Sequence, residues 1–268
     1  LVSKKLNIPL VISDQGGLTT HPDLRQNLFY SILYWIQESL VKFVIKQATK
    51  ISVANEYEKK IFAQYNVEKK VVIVRNGIDL NSLKHQNLNF KERFGINENF
   101  ILFVGRFSKV KGIDILLQAW SIVVSNPKST NLKLVIVGVD FGFQSEMMKM
   151  IEDLQLTKYV VVIKNPKREE VISAYQFCEF LVLPSRWELS PLTHLEGFAF
   201  KKTVVSTKSH GIPYTVEDGK NSILVELENP KQLADAILDL MSNDERRLSY
   251  GEAGFRLVQE VCNSKEMA

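Results

Sequence analysis

The chain has 268 residues, of which 45% are hydrophobic, 24% charged and 10% aromatic, a composition that fills a sizeable core and excludes disorder. With 13 glycines, 8 prolines and only two cysteines, collagen-like, low-complexity and disulfide-scaffold chains are excluded as well. The net charge of +4 is uneven: residues 1–98 carry +5 and residues 99–268 carry −1, which argues against a nucleic-acid groove in the larger part.

The first part of the chain predicts an incomplete α/β domain. Buried strands are predicted at Ile8–Ser13 and Lys50–Ala54, a third strand at Val71–Val74, and a long helix over about residues 27–49. Three strands and one or two helices are too few for a self-contained domain of this style. The chain also begins at Leu1 and not at Met, so we expect a fragment whose first domain is truncated at its beginning.

A polar stretch over residues 79–98 carries no core pattern and suits a connector. We therefore place a partial first domain at 1–85, a linker at 86–98, a second domain at 99–262 and a truncated tail at 263–268.

The second domain predicts a doubly wound parallel sheet, because continuously apolar strands alternate with segments of helical spacing. The predicted strands are Phe100–Gly105, Leu132–Gly138, Tyr159–Ile163, Phe180–Pro184, Thr203–Thr207 and Ile223–Val225. The predicted helices are 112–125, 145–155, 168–177, 191–200, 230–242 and 244–261. Ligands of such sheets bind at the carboxyl ends of the strands, so function is expected in the loops that follow them.

One such loop is cationic. Gly105 and Gly112 bracket Arg106, Lys109 and Lys111 between a strand and a helix. Helix-start N–H groups and these cations together suit a diphosphate held without a metal. The spacing is neither a P-loop nor a dinucleotide fingerprint, and a basic surface loop is the alternative interpretation.

A second such loop is acidic and runs from Pro184 into the next helix. Ser190 and Pro191 read as N-cap and first helical residue, which places Glu188 in the loop and Glu196 about one and a half turns into the helix. A loop carboxylate can accept hydrogen bonds from sugar hydroxyls, and a carboxylate on the helix can hold a ribose diol. Taken singly, each is equally consistent with a solvated acid.

The two loops together resemble those of the retaining glycosyltransferases of family 4, which have the two-domain GT-B fold. The resemblance rests on Gly-Arg-four residues-Lys-Gly and on Glu-seven residues-Glu. Further similar segments are Val74–Asp79, Val135–Gly138, His210–Pro213 and Val216–Asn221. It implies two Rossmann-like domains and transfer of a hexose from a UDP- or GDP-linked sugar to a sugar or lipid-linked acceptor, with retention of configuration and without a cofactor.

Carried over by position, the resemblance implies that Arg106 and Lys111 hold the donor diphosphate and stabilise the leaving group. Glu188 then contacts the donor sugar and Glu196 the ribose. Further donor-binding positions are Gly105 and the backbone N–H groups of Leu189 and Ser190. Fixed cations of this kind stabilise the charge that develops on a leaving nucleoside diphosphate.

The chain departs from the family on the acceptor side. Gln15, followed by Gly16, stands where relatives carry an active-site His, and Gln cannot shuttle a proton at neutral pH. His21, six residues on, is a candidate replacement. We favour an active enzyme at full length, with the present chain inactive alone. The alternative is a non-catalytic nucleotide-sugar binding module.

Other classes of function are disfavoured. A nicotinamide dehydrogenase would need the missing Gly-x-Gly-x-x-Gly fingerprint. No cluster of His, Cys and Asp has ligand spacing, so no metal site is predicted. The aromatic stretch Leu28–Ile45 is too polar to span a bilayer and is expected to pack under the first domain's sheet, with docking on a lipid-linked acceptor or a membrane surface as the alternative. We expect a cytoplasmic location, with peripheral contact to the inner face of the membrane under that alternative.

Overall fold

The computed structural model describes residues 5–13, 28–84, 86–127 and 131–265, with the backbone alone over 28–36. The chain divides into two compact units, Leu1–Asn76 and Gly77–Ala268. Each unit contains a parallel sheet, of three and of six strands respectively, so the predicted α/β class is confirmed. The predicted boundaries at 85, 98 and 262 remain a prediction.

The first unit has three parallel strands in the order β1-β2-β3. Its elements are β1 (Val11–Ser13), α1 (Leu28–Gln47), β2 (Lys50–Val53), α2 (Glu56–Ala63) and β3 (Val71–Ile73). A small apolar core forms between the central strand and the helices, made of Ile45, Ala48, Ile51, Val53, Phe62, Tyr65 and Val67.

The prediction of a buried strand at Ile8–Ser13 is wrong. Only Val11–Ser13 form β1, and both Ile8 and Val11 are exposed. The physical reason is position: among the described residues β1 pairs with β2 alone, at the edge of the sheet. An apolar run therefore identifies a strand without fixing how deeply it is buried.

Helix α2 was not predicted, although its start carries a local signal. Asn55 caps the helix by accepting a hydrogen bond from the Glu58 N–H at 3.1 Å. The Glu58 carboxylate in turn accepts one from the Ala54 N–H at 2.9 Å, and both polar side chains are buried. An Asn followed three residues later by Glu is the sequence pattern of such a reciprocal cap.

The second unit is built on six parallel strands in the order β6-β5-β4-β7-β8-β9. They are β4 (Asn99–Val104), β5 (Leu132–Gly138), β6 (Val160–Lys164), β7 (Leu181–Leu183), β8 (Val204–Thr207) and β9 (Ser222–Val225). Every predicted strand of this unit is found, with ends shifted by at most one residue. Phe100–Phe103 and Leu134–Val137 are fully buried, as expected for strands covered on both faces.

Seven α-helices in the described part of this unit accompany the sheet. They are α3 (Phe90–Phe94), α4 (Ile113–Val124), α5 (Gln144–Asp153), α6 (Arg168–Phe177), α7 (Leu192–Ala199), α8 (Pro230–Ser242) and α9 (Asp244–Val261). Helix α8 shows why the boundaries are readable from sequence: Asn229 accepts a hydrogen bond from the Gln232 N–H at 3.0 Å and Pro230 occupies the first position.

The stretch 79–98 belongs to the core of the second unit, contrary to the absence of a core pattern in its sequence. Leu83, Phe90 and Ile96 are buried in that core. They are single apolar residues separated by polar ones, so no period reveals them. At the other end of the predicted second domain, Asn263 forms a parallel bridge with Ile78.

The strand order makes the centre of the large sheet the expected position of a ligand crevice. The connections run to one side from β4 and to the other from β7, and a ligand crevice is expected outside the carboxyl ends of such neighbouring strands. The cationic loop (Gly105–Gly112) follows β4, and the acidic loop (Pro184–Pro191) follows β7. Gly112 has φ +67°, and a Cβ there would lie 2.0 Å from the Pro184 carbonyl oxygen, so the two loops are packed backbone against backbone.

Candidate functional site

Two cations of the cationic loop, Arg106 and Lys111, differ in their exposure to solvent. Residues Lys109–Lys111 form a single 3₁₀ turn that ends at left-handed Gly112, directly before α4. Arg106 is exposed, and its guanidinium carbon lies 5.0 Å above the centroid of the Phe141 ring. Lys111, by contrast, is mostly buried. The loop therefore exposes the Arg106 cation to solvent and keeps the Lys111 cation mostly buried.

Lys111 and Glu188 form an ion pair that joins the cationic and acidic loops. Each side chain is 17% exposed, so the pair is largely shielded from water. The Ser185 hydroxyl lies 3.3 Å from the same Glu188 carboxylate oxygen, and the Gly211 N–H donates to the Glu188 backbone carbonyl at 2.9 Å. The structure thus brings together two residues that the sequence assigns to the site, and it fixes the loop acid from three sides.

Glu196 is held from helix α6. The Arg168 guanidinium donates to one carboxylate oxygen at 2.6 Å, and the Tyr175 hydroxyl donates to the other at 2.7 Å. Only 15% of the Glu196 side chain is exposed, so it is not a solvated helix acid. Burial, followed by the charge of Glu196, raises the pKa of Tyr175 well above its usual value, which keeps the phenol protonated.

Arg186, in the acidic loop, uses all five of its N–H donors. It makes a bidentate pair with Asp114 at 2.7 and 2.8 Å, a second pair with Glu228 at 2.5 and 2.9 Å, and a hydrogen bond to the Lys109 carbonyl at 2.5 Å. Its backbone N–H also donates to the Val110 carbonyl at 2.7 Å. The hydrogen bond to Asp114 is the largest cause of the raised pKa of Arg186. This residue is therefore a clamp between the loops and not a ligand for an anion.

His194 lies in the first turn of α7 and is buried. The Ser206 hydroxyl donates its one proton to the Leu183 carbonyl at 2.7 Å, so it accepts from His194 Nε2–H at 2.9 Å. Nδ1 has no hydrogen-bond partner within the described part of the chain. Burial, followed by the charge of Lys111, lowers the pKa of His194 to about 3, so the imidazole is neutral near pH 7.

The start of helix α7 differs from the prediction. The N-cap is Pro191 and not Ser190, and the helix begins at Leu192. Leu189 is buried and Ser190 half-buried.

In the acidic loop, the Trp187 ring contacts the His210 ring, with centroids 3.9 Å apart. Burial lowers the pKa of His210.

The acceptor-side candidates Gln15, Gly16 and His21 lie outside the described residues. Over the described ranges, no three or more His, Cys, Asp or Glu side chains form a group that could hold a metal ion. No helix in the same part of the chain combines the length and apolar character needed to cross a bilayer.

Sequence reasoning missed the residues that hold the site together. Arg186 carried no assigned role, although it lies two residues before Glu188. Its partner Asp114 likewise lies close to the cationic loop, two residues after Gly112. Tyr175 carried no assigned role either. No local signal identifies either residue, because their partners lie on other elements.

A family model described as glycosyl transferases, group 1, matches residues 84–257, more than half of the chain. An uncharacterised glycosyltransferase of Methanocaldococcus jannaschii is 28% identical and covers 95% of this chain and 64% of that relative. D-inositol 3-phosphate glycosyltransferase of Corynebacterium urealyticum is 29% identical and covers 68% of this chain and 46% of that relative. The chain thus spans roughly half to two thirds of the length of these curated relatives.

Among solved structures, Anabaena HepE in complex with UDP-glucose matches with a TM-score of 0.81 at 18% identity. The match covers 99% of this chain and 71% of that chain. This likeness concerns the fold, and it confirms the predicted GT-B type with its parallel sheets.

Proposed function

Because the chain belongs to the group 1 glycosyltransferases, we propose that its protein transfers a hexose from a UDP- or GDP-linked sugar to a sugar or lipid-linked acceptor, with retention of configuration. The observation that carries the proposal is the Lys111–Glu188 ion pair between the two loops at the centre of the sheet. Support comes from HepE, whose structure is a complex with UDP-glucose, and from the corynebacterial relative, a D-inositol 3-phosphate glycosyltransferase.

The geometry suits a metal-free diphosphate site. Lys111 has three N–H donors, so it can keep its bond to Glu188 and still donate to a phosphate oxygen. Arg106 supplies an exposed planar fork for a second phosphate oxygen, while its contact with Phe141 limits where the guanidinium can lie. Both cations oppose the charge that grows on a departing nucleoside diphosphate, which lowers the barrier most in the transition state.

Glu188 faces the sugar in this proposal. Its carboxylate is fixed by Lys111 and Ser185, so a donor sugar meets a preoriented acceptor of hydrogen bonds at the mouth of the crevice. Gly105 and the backbone of Leu189 and Ser190 complete the donor side.

On the acceptor side we assign Gln15 and Gly16, with His21 as the candidate proton carrier. The absence of His at position 15 favours one rival, a non-catalytic nucleotide-sugar binding module. The two differ in turnover: an enzyme at full length releases or transfers the sugar of a UDP- or GDP-linked hexose, whereas a binding module leaves it intact.

Peripheral membrane contact is proposed through α1 of the first unit. This helix exposes Leu40, Phe43 and Val44 close to Lys42 and Lys46. An apolar strip edged by lysines suits a surface of anionic lipid. Co-sedimentation with anionic but not with neutral vesicles tests it, and equal recovery with both would contradict it.

The binding step is tested by titrating UDP and GDP into the chain in the presence of EDTA. We expect one nucleotide to bind without divalent metal and Arg106→Ala to lose about tenfold to a hundredfold in affinity, the range for a charge-assisted hydrogen bond. Arg256→Ala removes another exposed arginine, on α9, and should leave affinity unchanged. Loss of wild-type binding in EDTA, or unchanged affinity in Arg106→Ala, would reject the site.

A further inference from the structure

Both carboxylate oxygens of Glu196 are already fixed by neighbours from helix α6. Arg168 donates to Oε1 and Tyr175 to Oε2, so the carboxylate cannot rotate without breaking a bond. Tyr175 itself is immobilised, since its side chain is fully buried and its ring stacks on Phe200 with centroids 5.9 Å apart. The carboxylate is therefore held in one orientation before any ligand arrives.

A carboxylate with one donor on each oxygen still has acceptor capacity on both, because each oxygen carries two lone pairs. Two vicinal hydroxyls, as in a ribose, match two acceptors that are held at a fixed spacing. A freely rotating side chain would have to be ordered by the ligand at a cost in binding free energy, and the fixed one avoids that cost.

We propose that Tyr175 and Arg168 are positioning residues that orient Glu196 toward the ribose diol and so make the site select ribonucleotides over 2′-deoxyribonucleotides. This inference rests on the proposed function, because it needs a nucleoside diphosphate in the crevice. Tyr175 makes the larger contribution, since it is buried, whereas the Arg168 side chain is 55% exposed and its ion pair is screened by solvent.

The test compares UDP with 2′-deoxy-UDP, or GDP with 2′-deoxy-GDP if the wild-type chain binds GDP alone. Titration calorimetry is run on wild type, Tyr175→Phe and Arg168→Gln. Tyr159→Phe is the matched control, because Tyr159 precedes β6 at the amino end of the strands, away from the crevice. Thermal unfolding of each variant shows that it is folded.

We expect wild type to prefer the ribonucleotide by about tenfold or more, the scale of a hydrogen bond to a charged group. Tyr175→Phe should narrow that preference to about threefold or less, mainly by weakening the ribonucleotide, with a smaller effect in Arg168→Gln. The Tyr159→Phe control should retain the full preference.

The outcomes separate the two proposals. If wild type binds neither UDP nor GDP, the proposed function fails and this inference fails with it. If wild type binds but shows no preference, or if Tyr175→Phe keeps the preference or weakens both ligands equally, the function stands and this inference is overturned. Should Tyr175→Phe not fold, Arg168→Gln decides by the same criterion.

Discussion

The buried imidazole of His194 makes a quantitative prediction about stability and pH. In the folded chain its pKa is about 3, against an ordinary value of 6.5. The unfolded chain therefore takes up a proton at a pH where the folded chain does not. This contribution to stability is complete above the unfolded pKa and is lost progressively as the pH falls toward the folded one.

The magnitude follows from the two pKa values. Between about pH 7.5 and about pH 5, protonation of the unfolded imidazole lowers the free energy of unfolding by about 2 kcal/mol, while the folded imidazole stays neutral. That loss is a large share of the total stability of a typical domain.

The assay is urea unfolding at a series of pH values, for wild type and for His194→Gln, which cannot titrate. Tryptophan fluorescence is a suitable signal, because Trp120 is fully buried in the core of the second unit. The stability difference between the two proteins should change by about 2 kcal/mol across this pH interval, to the disadvantage of wild type at low pH. Parallel pH profiles would show that His194 is not neutral when folded and would refute the reasoning.

Three further predictions concern the two loops and the carboxylate of Glu196 on helix α7. Glu196→Gln should weaken the binding of free nucleoside diphosphate by about tenfold, whereas Glu188→Gln should weaken only the binding of the nucleotide sugar. Titration of both ligands checks this, and the reverse pattern would exchange the two roles. Arg186→Lys keeps the charge but not the planar guanidinium, so urea unfolding should show a free energy of unfolding lower by about 1–3 kcal/mol and calorimetry a lower nucleotide affinity. Unchanged values in both measurements would show that the Arg186 contacts are dispensable. Gly112→Ala should lower the free energy of unfolding by at least about 3 kcal/mol, because the new Cβ would meet the Pro184 carbonyl in the acidic loop. The control Gly95→Ala, at φ +65° with open space around it, should lower it by about 1–2 kcal/mol in the same urea unfolding assay. Equal losses would show that the loops do not depend on this contact.

The sequence by itself determined the six strands and all the described α-helices of the second unit except α3, and with them the loops in which to look. Continuous apolar runs such as Leu132–Gly138 and capped starts such as Asn229 followed by Pro230 are local signals, and the strands and helices formed where they stand. The alternation of strand and helix also fixed the parallel arrangement, and with it the edge of the sheet at which Arg106 and Glu188 lie.

Only the tertiary structure decided which side chains meet. Lys111 and Glu188 are 77 residues apart, Arg186 and Asp114 are 72 apart, and Tyr175 and Glu196 are 21 apart. Such pairs depend on strand order and on backbone packing, as where Gly112 lies against Pro184, and neither is expressed in the periodicity of a single segment. The same holds for burial: the exposed Val11 and the buried Phe90 depend on what the rest of the chain places around them.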